Sequence, residues 1–182
     1  NRKGERFMVY GPDDGPAAII SQPCHIRGLG FSTAGYTGAG SHNVRIDTTG
    51  FDGWIGGYTL IESCKFSTWG NSPDYALYLK GAVNCQVINC NFDGAFDGFT
   101  DAAIGLGAGG AEVYVCDFVG NVFKGLKTGN YAFEVMSGAH PESVLIAGNY
   151  LLGNPNTEGE GHPGVGKFLN HLGGTVYGVF LA

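Results

Sequence analysis

Five stretches of the chain repeat one apolar–polar pattern without gaps: Cys24–Phe31, Thr59–Phe66, Cys85–Phe92, Ala111–Phe118 and Ser143–Tyr150. Each closes on an aromatic residue, and five positions earlier stands an aliphatic one: Ile26, Ile61, Val87, Val113 or Leu145. Two positions before the aromatic come Leu29, Cys64, Cys90, Cys116 and Gly148; directly before it come Gly30, Lys65, Asn91, Asp117 and Asn149, all turn-tolerant or polar. Successive aromatics are 35, 26, 26 and 32 residues apart. After a polar loop each unit offers a second stretch alternating with period two: Val44–Asp47, Ala76–Lys80, Ala103–Leu106 and Ala132–Met136. The segments lack a 3.6-residue period. The shortest repeat, 26 residues, is too brief for tetratricopeptide or ankyrin units, and a Leu-rich consensus is missing. Two or three short strands per unit, joined by bends, predict a β-solenoid whose units bury their apolar faces on one another. Equivalent side chains would then stack, Ile61 on Val87 on Val113 and Phe66 on Phe92 on Phe118.

Composition sharpens this into an all-β expectation. The 182 residues suit one domain and include 33 Gly, with 13% aromatic, 43% apolar and only 14% charged residues. Disorder requires the reverse balance, and so many glycines suit a fold rich in turns. The repeated Val87-Ile-Asn-Cys-Asn-Phe92 pattern resembles the coils of pectate-lyase-like right-handed β-helices, over roughly Cys24 to Asn154. That resemblance implies a single-stranded, right-handed parallel β-helix of about four to six coils, spanning residues 24–172. Residues 1–23 are then a turn-rich lead-in or cap, and residues 173–182 a strand-like tail that caps the last coil or meets a neighbouring subunit. The superfamily includes polysaccharide lyases and hydrolases as well as phage tailspike and capsid-surface proteins, so the scaffold alone does not fix an activity.

Charge narrows the partners. A net charge of −6, with Lys and Arg scattered, lacks the footprint of nucleic-acid binding and disfavours anionic membranes. No apolar run reaches the ~18 residues of a membrane span, and the first residues carry no signal-peptide core. The chain opens on Asn1 rather than Met, as in a processed product or a piece of something longer.

Several motifs reduce to structure. Cys64, Cys90 and Cys116 share a column with parallel Cβ vectors, and Cys24 and Cys85 lie two coils apart, about 9.6 Å, beyond disulfide reach. All five cysteines therefore read as small packing residues, and no Cys-x2-Cys pair suggests zinc. His140-Pro141 and His162-Pro163 read as solvated loops. Gly105–Gly110 matches G-x-G-x-x-G, but a strand follows instead of the helix that would bind pyrophosphate. Asp93, Asp97 and Asp101 could gather around Ca²⁺ or act as glycosidase carboxylates, although Asp-Gly turns account for them more simply. No cofactor or metal is expected.

The alternating second strands set an outward strip: Arg45, Tyr78, Gly105 and Glu134 in one column, with Asp47, Lys80, Gly107 and Met136 beside it. Arg45, Tyr78, Lys80 and Glu134 are the candidate glycan contacts, the tyrosine as a stacking platform. Asp47 and Glu134 would lie about 14 Å apart, too far for a hydrolase pair needing about 5–9.5 Å. The expected function is a non-enzymatic structural or adhesive protein of a virus particle surface, tailspike-like or capsid-decorating. A homo-oligomer is expected, a trimer favoured, with capsid or tail proteins and a surface polysaccharide as partners, at the virion surface or outside the cell. The alternative is a polysaccharide lyase or glycoside hydrolase, or a fragment of one.

Overall fold

The chain is all-β with parallel strands, and no helix occurs among the described residues. The computed structural model describes residues 7–12, 14–33, 40–48, 58–68, 73–94, 99, 101–107, 112–126, 130–152, 167–171 and 177–182. Their strands form three ladders. The first runs β1 (Met8–Gly11), β4 (Gly30–Thr33), β7 (Lys65–Thr68), β9 (Asn91–Asp93), β12 (Val122–Lys124) and β15 (Tyr150–Leu152). The second runs β2 (Ala18–Ile20), β5 (His42–Asp47), the first half of β8 (Tyr75–Ile88), β10 (Ala102–Leu106), β13 (Tyr131–Val135) and β16 (Lys167–His171). The third runs β3 (His25–Arg27), β6 (Thr59–Glu62), the second half of β8, β11 (Glu112–Val119), β14 (His140–Ala147) and β17 (Tyr177–Leu181). Six passes of the chain thus visit the ladders in the same order, and β8 serves two of them. The lead-in contributes β1 and β2, and the tail contributes β17, which pairs with β14.

Register puts like side chains over like. The first-ladder core column is Val9, Phe31, Phe66, Phe92, Phe123 and Leu151. Its rings stack: Phe66 and Phe92 are 4.7 Å apart and 3° from parallel, Phe92 and Phe123 4.9 Å and 13°. The third-ladder column is Ile26, Ile61, Val87, Phe118, Ile146 and Leu181. In the second ladder Val44, Leu77, Ile104 and Phe133 pair in sequence, as do Ile46, Leu79, Leu106 and Val135. These eight are at most 1% exposed, as the period-two reading predicts.

One bend recurs between the third and first ladders. Gly28, Ser63, Asn89, Gly120 and Gly148 occupy one column, with φ of 71°, 53°, 53°, 66° and 58°. Each donates its N–H to the next pass: Gly28 to Glu62, Ser63 to Ile88, Asn89 to Val119, Gly120 to Ala147 and Gly148 to Ala182, at 3.0–3.1 Å. A single left-handed residue turns the chain, which favours Gly and tolerates Asn.

The fourth and fifth repeats depart from the sequence alignment. Val113 lies over Ala82 rather than Val87, Phe118 over Val87 rather than Phe92, and Cys116 over Cys85 rather than Cys90. Phe123 and Leu151 fill the column assigned to Phe118 and Tyr150, and Ile146 the place assigned to Leu145. The cause is a second left-handed column at Asn84, Val115 and Ser143, with φ of 52°, 52° and 55°. Cys116 follows such a residue and donates its Sγ–H to Tyr114 O at 3.5 Å, as Cys64 does to Glu62 O and Cys90 to Ile88 O at 3.4 Å. Two different bends therefore carry one local signature. His140 and Pro141 likewise open β14 instead of lying in a loop.

Candidate functional site

The second ladder brings three of the four predicted contacts into one column. Arg45 pairs with Tyr78, Tyr78 with Gly105, and Gly105 with Glu134. Lys80 follows two residues after Tyr78 and binds Asp47 Oδ2 at 3.1 Å. The register shifts between Ile46 and Asp47, so Asp47 stands opposite Gly81, not Lys80.

Glu134 is 5% exposed, and its carboxylate accepts the Tyr75 hydroxyl at 2.7 Å. Gly105 makes this reach possible. A Cβ there would stand 2.9 Å from the Tyr75 ring, so the missing side chain leaves the slot that Tyr75 crosses. The Tyr75 ring stacks on Tyr78 at 5.8 Å and 22°, and Tyr78 meets His42 at 5.2 Å. The face is therefore an aromatic group, with Arg45 and Lys80 toward one end and Glu134 toward the other.

Carboxylates collect beside Tyr75. Asp74 is 8% exposed, accepts the Gly40 N–H on its carboxylate, and donates its own backbone N–H to the Ser41 hydroxyl oxygen at 3.0 Å. Its carbonyl accepts the N–H groups of Asp101 and Ala102, each at 3.2 Å. Burial pushes the Asp74 carboxyl above the ordinary range, and the charges of Asp101 and Glu134 push it further, against hydrogen bonds from the backbone of Gly40 and Ser41. Burial, then the hydrogen bond and charge of Glu134, drive the Tyr75 hydroxyl far above the usual tyrosine value, so it stays a proton donor. His42 is lowered by burial and by Arg45, against the opposing bond of Nδ1 to Gly40 O at 2.7 Å. Tyr75, His42 and Asp74 were not legible as members of this face. The nearest signal was the glycine that interrupts a column of large polar residues.

The other candidates resolve separately. Asp93 Oδ2 lies 3.1 Å from Lys65 Nζ and 2.9 Å from Lys124 Nζ, so two lysines from flanking passes neutralise it. Asp101 sits at the head of the second ladder beside Asp74, and Asp97 lies outside the described residues. No group of three or more His, Cys, Asp or Glu that could hold a metal occurs among the described residues. The five cysteines are free thiols, four of them buried. Cys85 is raised well above the ordinary thiol range by its contact with Cys116 and by burial, which leaves it protonated and unreactive. No family model matches the chain, and no curated protein or solved structure matches it either.

Proposed function

We propose that the three ladders close into a right-handed parallel β-helix of six coils. In this reading the chain is a non-enzymatic structural and adhesive module of a virus particle surface, tailspike-like or capsid-decorating. The observation that carries it is the unbroken stacking of apolar columns over six passes, which suits a rigid stalk or decoration. The viral part rests on likeness to the pectate-lyase-like superfamily. The second-ladder face supports a glycan-contacting role, since the partly exposed Tyr78 offers a stacking edge flanked by Arg45 and Lys80. Glu134 supports the non-enzymatic reading, because the buried Tyr75 hydroxyl already occupies its carboxylate. In this reading the chain assembles as a trimer, with the β17 segment, which pairs with β14, as the subunit contact.

A polysaccharide hydrolase is the second reading, favoured by Asp74. A carboxyl raised by burial beside two further carboxylates has the character of a general acid. The experiment is a screen of neutral and acidic polysaccharides for binding and for new reducing ends or unsaturated products, run with solution mass measurement. Binding without turnover by an oligomer is the expected result. Turnover abolished in Asp74→Asn and in Glu134→Gln, with folding unchanged, would establish the enzyme instead.

A further inference from the structure

Among the described cationic side chains of the strands, Arg27 faces Glu62, Lys80 faces Asp47, and Lys65 and Lys124 share Asp93. Arg45 is the exception. It makes no ion pair among the described residues, and its Nε is buried without a hydrogen-bond partner there. A guanidinium carries five N–H donors in a fixed fork, and a buried donor left unmade costs about 1–3 kcal/mol. An acceptor placed at this Nε–H would recover that cost.

Its surroundings suit an anion. Arg45 is only partly exposed and pairs in register with Tyr78, whose ring meets His42. Burial and the Arg45 charge both disfavour the charged form of His42 beside it. Asp47, the nearest carboxylate along β5, is bound by Lys80. Glu134 stands three strands away on the same column, roughly 14 Å at ordinary strand spacing and beyond the ~8 Å screening length of physiological salt. The column is thus electrically divided, with its cation uncompensated at one end.

We propose that Arg45 is an oxyanion-binding site, which takes the carboxylate or sulfate substituent of an acidic saccharide while Tyr78 packs against the sugar ring. Both substituents present the paired oxygens that the guanidinium fork accepts. This inference rests on the glycan-contacting reading of the second-ladder face and names the chemistry of the ligand.

The test is titration of the intact chain with three probes: oligogalacturonate, which carries only carboxylates, dextran sulfate, which carries only sulfates, and neutral dextran. The Arg45 Nε–H signal is followed by NMR alongside calorimetry. The expected result is a shifted Arg45 signal with one or both anionic probes, and no comparable binding of neutral dextran. Arg45→Gln should weaken anionic binding at least tenfold with unchanged thermal stability, Arg45→Lys should fall between, and Arg27→Gln should match wild type. The two charged probes separate a carboxylate site from a sulfate site. Anionic binding unaffected by Arg45→Gln would overturn the inference. Binding of neutral dextran that is lost in Tyr78→Ala but kept in Arg45→Gln would overturn it while leaving the glycan-contacting reading intact. No binding of any probe would overturn both.

Discussion

At the scale of single residues, backbone conformation and buried charge decide what can be changed. Val115 holds φ of 52° and is 41% exposed, so a β-branched residue sits where its Cβ crowds the following carbonyl. Its column mates are Asn84 and Ser143, both polar and neither β-branched. Val115→Asn should therefore stabilise the protein by about 1 kcal/mol, read as a rise in Tm of roughly 2–4 °C. No change, or a loss, would mean that the valine's packing outweighs its backbone strain. Asp74 makes the opposite kind of point. Its carboxyl is raised on folding, so the folded state holds the proton more tightly than the unfolded chain does. That contribution is fully present below the ordinary aspartate value near 3.8 and diminishes as pH rises through the raised folded value. Asp74→Asn keeps an acceptor for the Gly40 N–H and removes the charge. Thermal melts should show it gaining stability at pH 7 relative to pH 3, and equal effects at both would contradict the sign.

At the scale of elements, the second ladder was readable and the register of the first and third only half so. Strict alternation in Val44–Asp47, Ala76–Lys80, Ala103–Leu106 and Ala132–Met136 fixes which residues face inward, because a slip of one would expose every apolar side chain. The Cys-x-Phe signature could not do the same, since it marks a left-handed bend rather than a place in the pass. Cys90 and Cys116 each follow a left-handed residue, but in two different columns. At the true corner of the fourth pass Asn121 takes over, fully buried, donating to Val87 O at 2.9 Å and accepting the Cys90 N–H at 2.9 Å. An amide and a thiol meeting one steric need look unrelated in a sequence. Mutation separates the two registers directly. Phe123→Ala, at the stacked column beside Phe92, should cost about 3–5 kcal/mol, whereas Tyr150, 62% exposed, should tolerate alanine within roughly 1 kcal/mol. Chemical denaturation measures both, and equal costs would restore the alignment that places Tyr150 in the aromatic column.

At the scale of the whole molecule, the described strands of each pass pair only with those of the passes before and after it, and the Tyr75–Glu134 hydrogen bond is a side-chain contact that skips a pass. The candidate site spans four passes, from Arg45 on β5 to Glu134 on β13, and this explains why it was only partly legible. Column membership follows from alternation. The crossing of Tyr75 over Gly105 to reach Glu134 depends on side-chain placement across three strands, which no local pattern encodes. The same pass-to-pass pairing governs truncation. Deleting residues 175–182 removes β17, the partner of Glu142, Val144, Leu145 and Ile146 on β14. Val144 and Ile146 are at most 2% exposed in the intact chain, so their loss of cover should lower Tm and loosen the last passes. The earlier passes keep both neighbours, and the Phe31–Phe66–Phe92 stack stays flanked. Native-state hydrogen exchange should then show β14 amides losing protection while those of β5 and β8 retain it. Uniform loss of protection along the chain would mean that the ladders melt as one unit, and that the tail closes a globular core instead of covering the end of a stack.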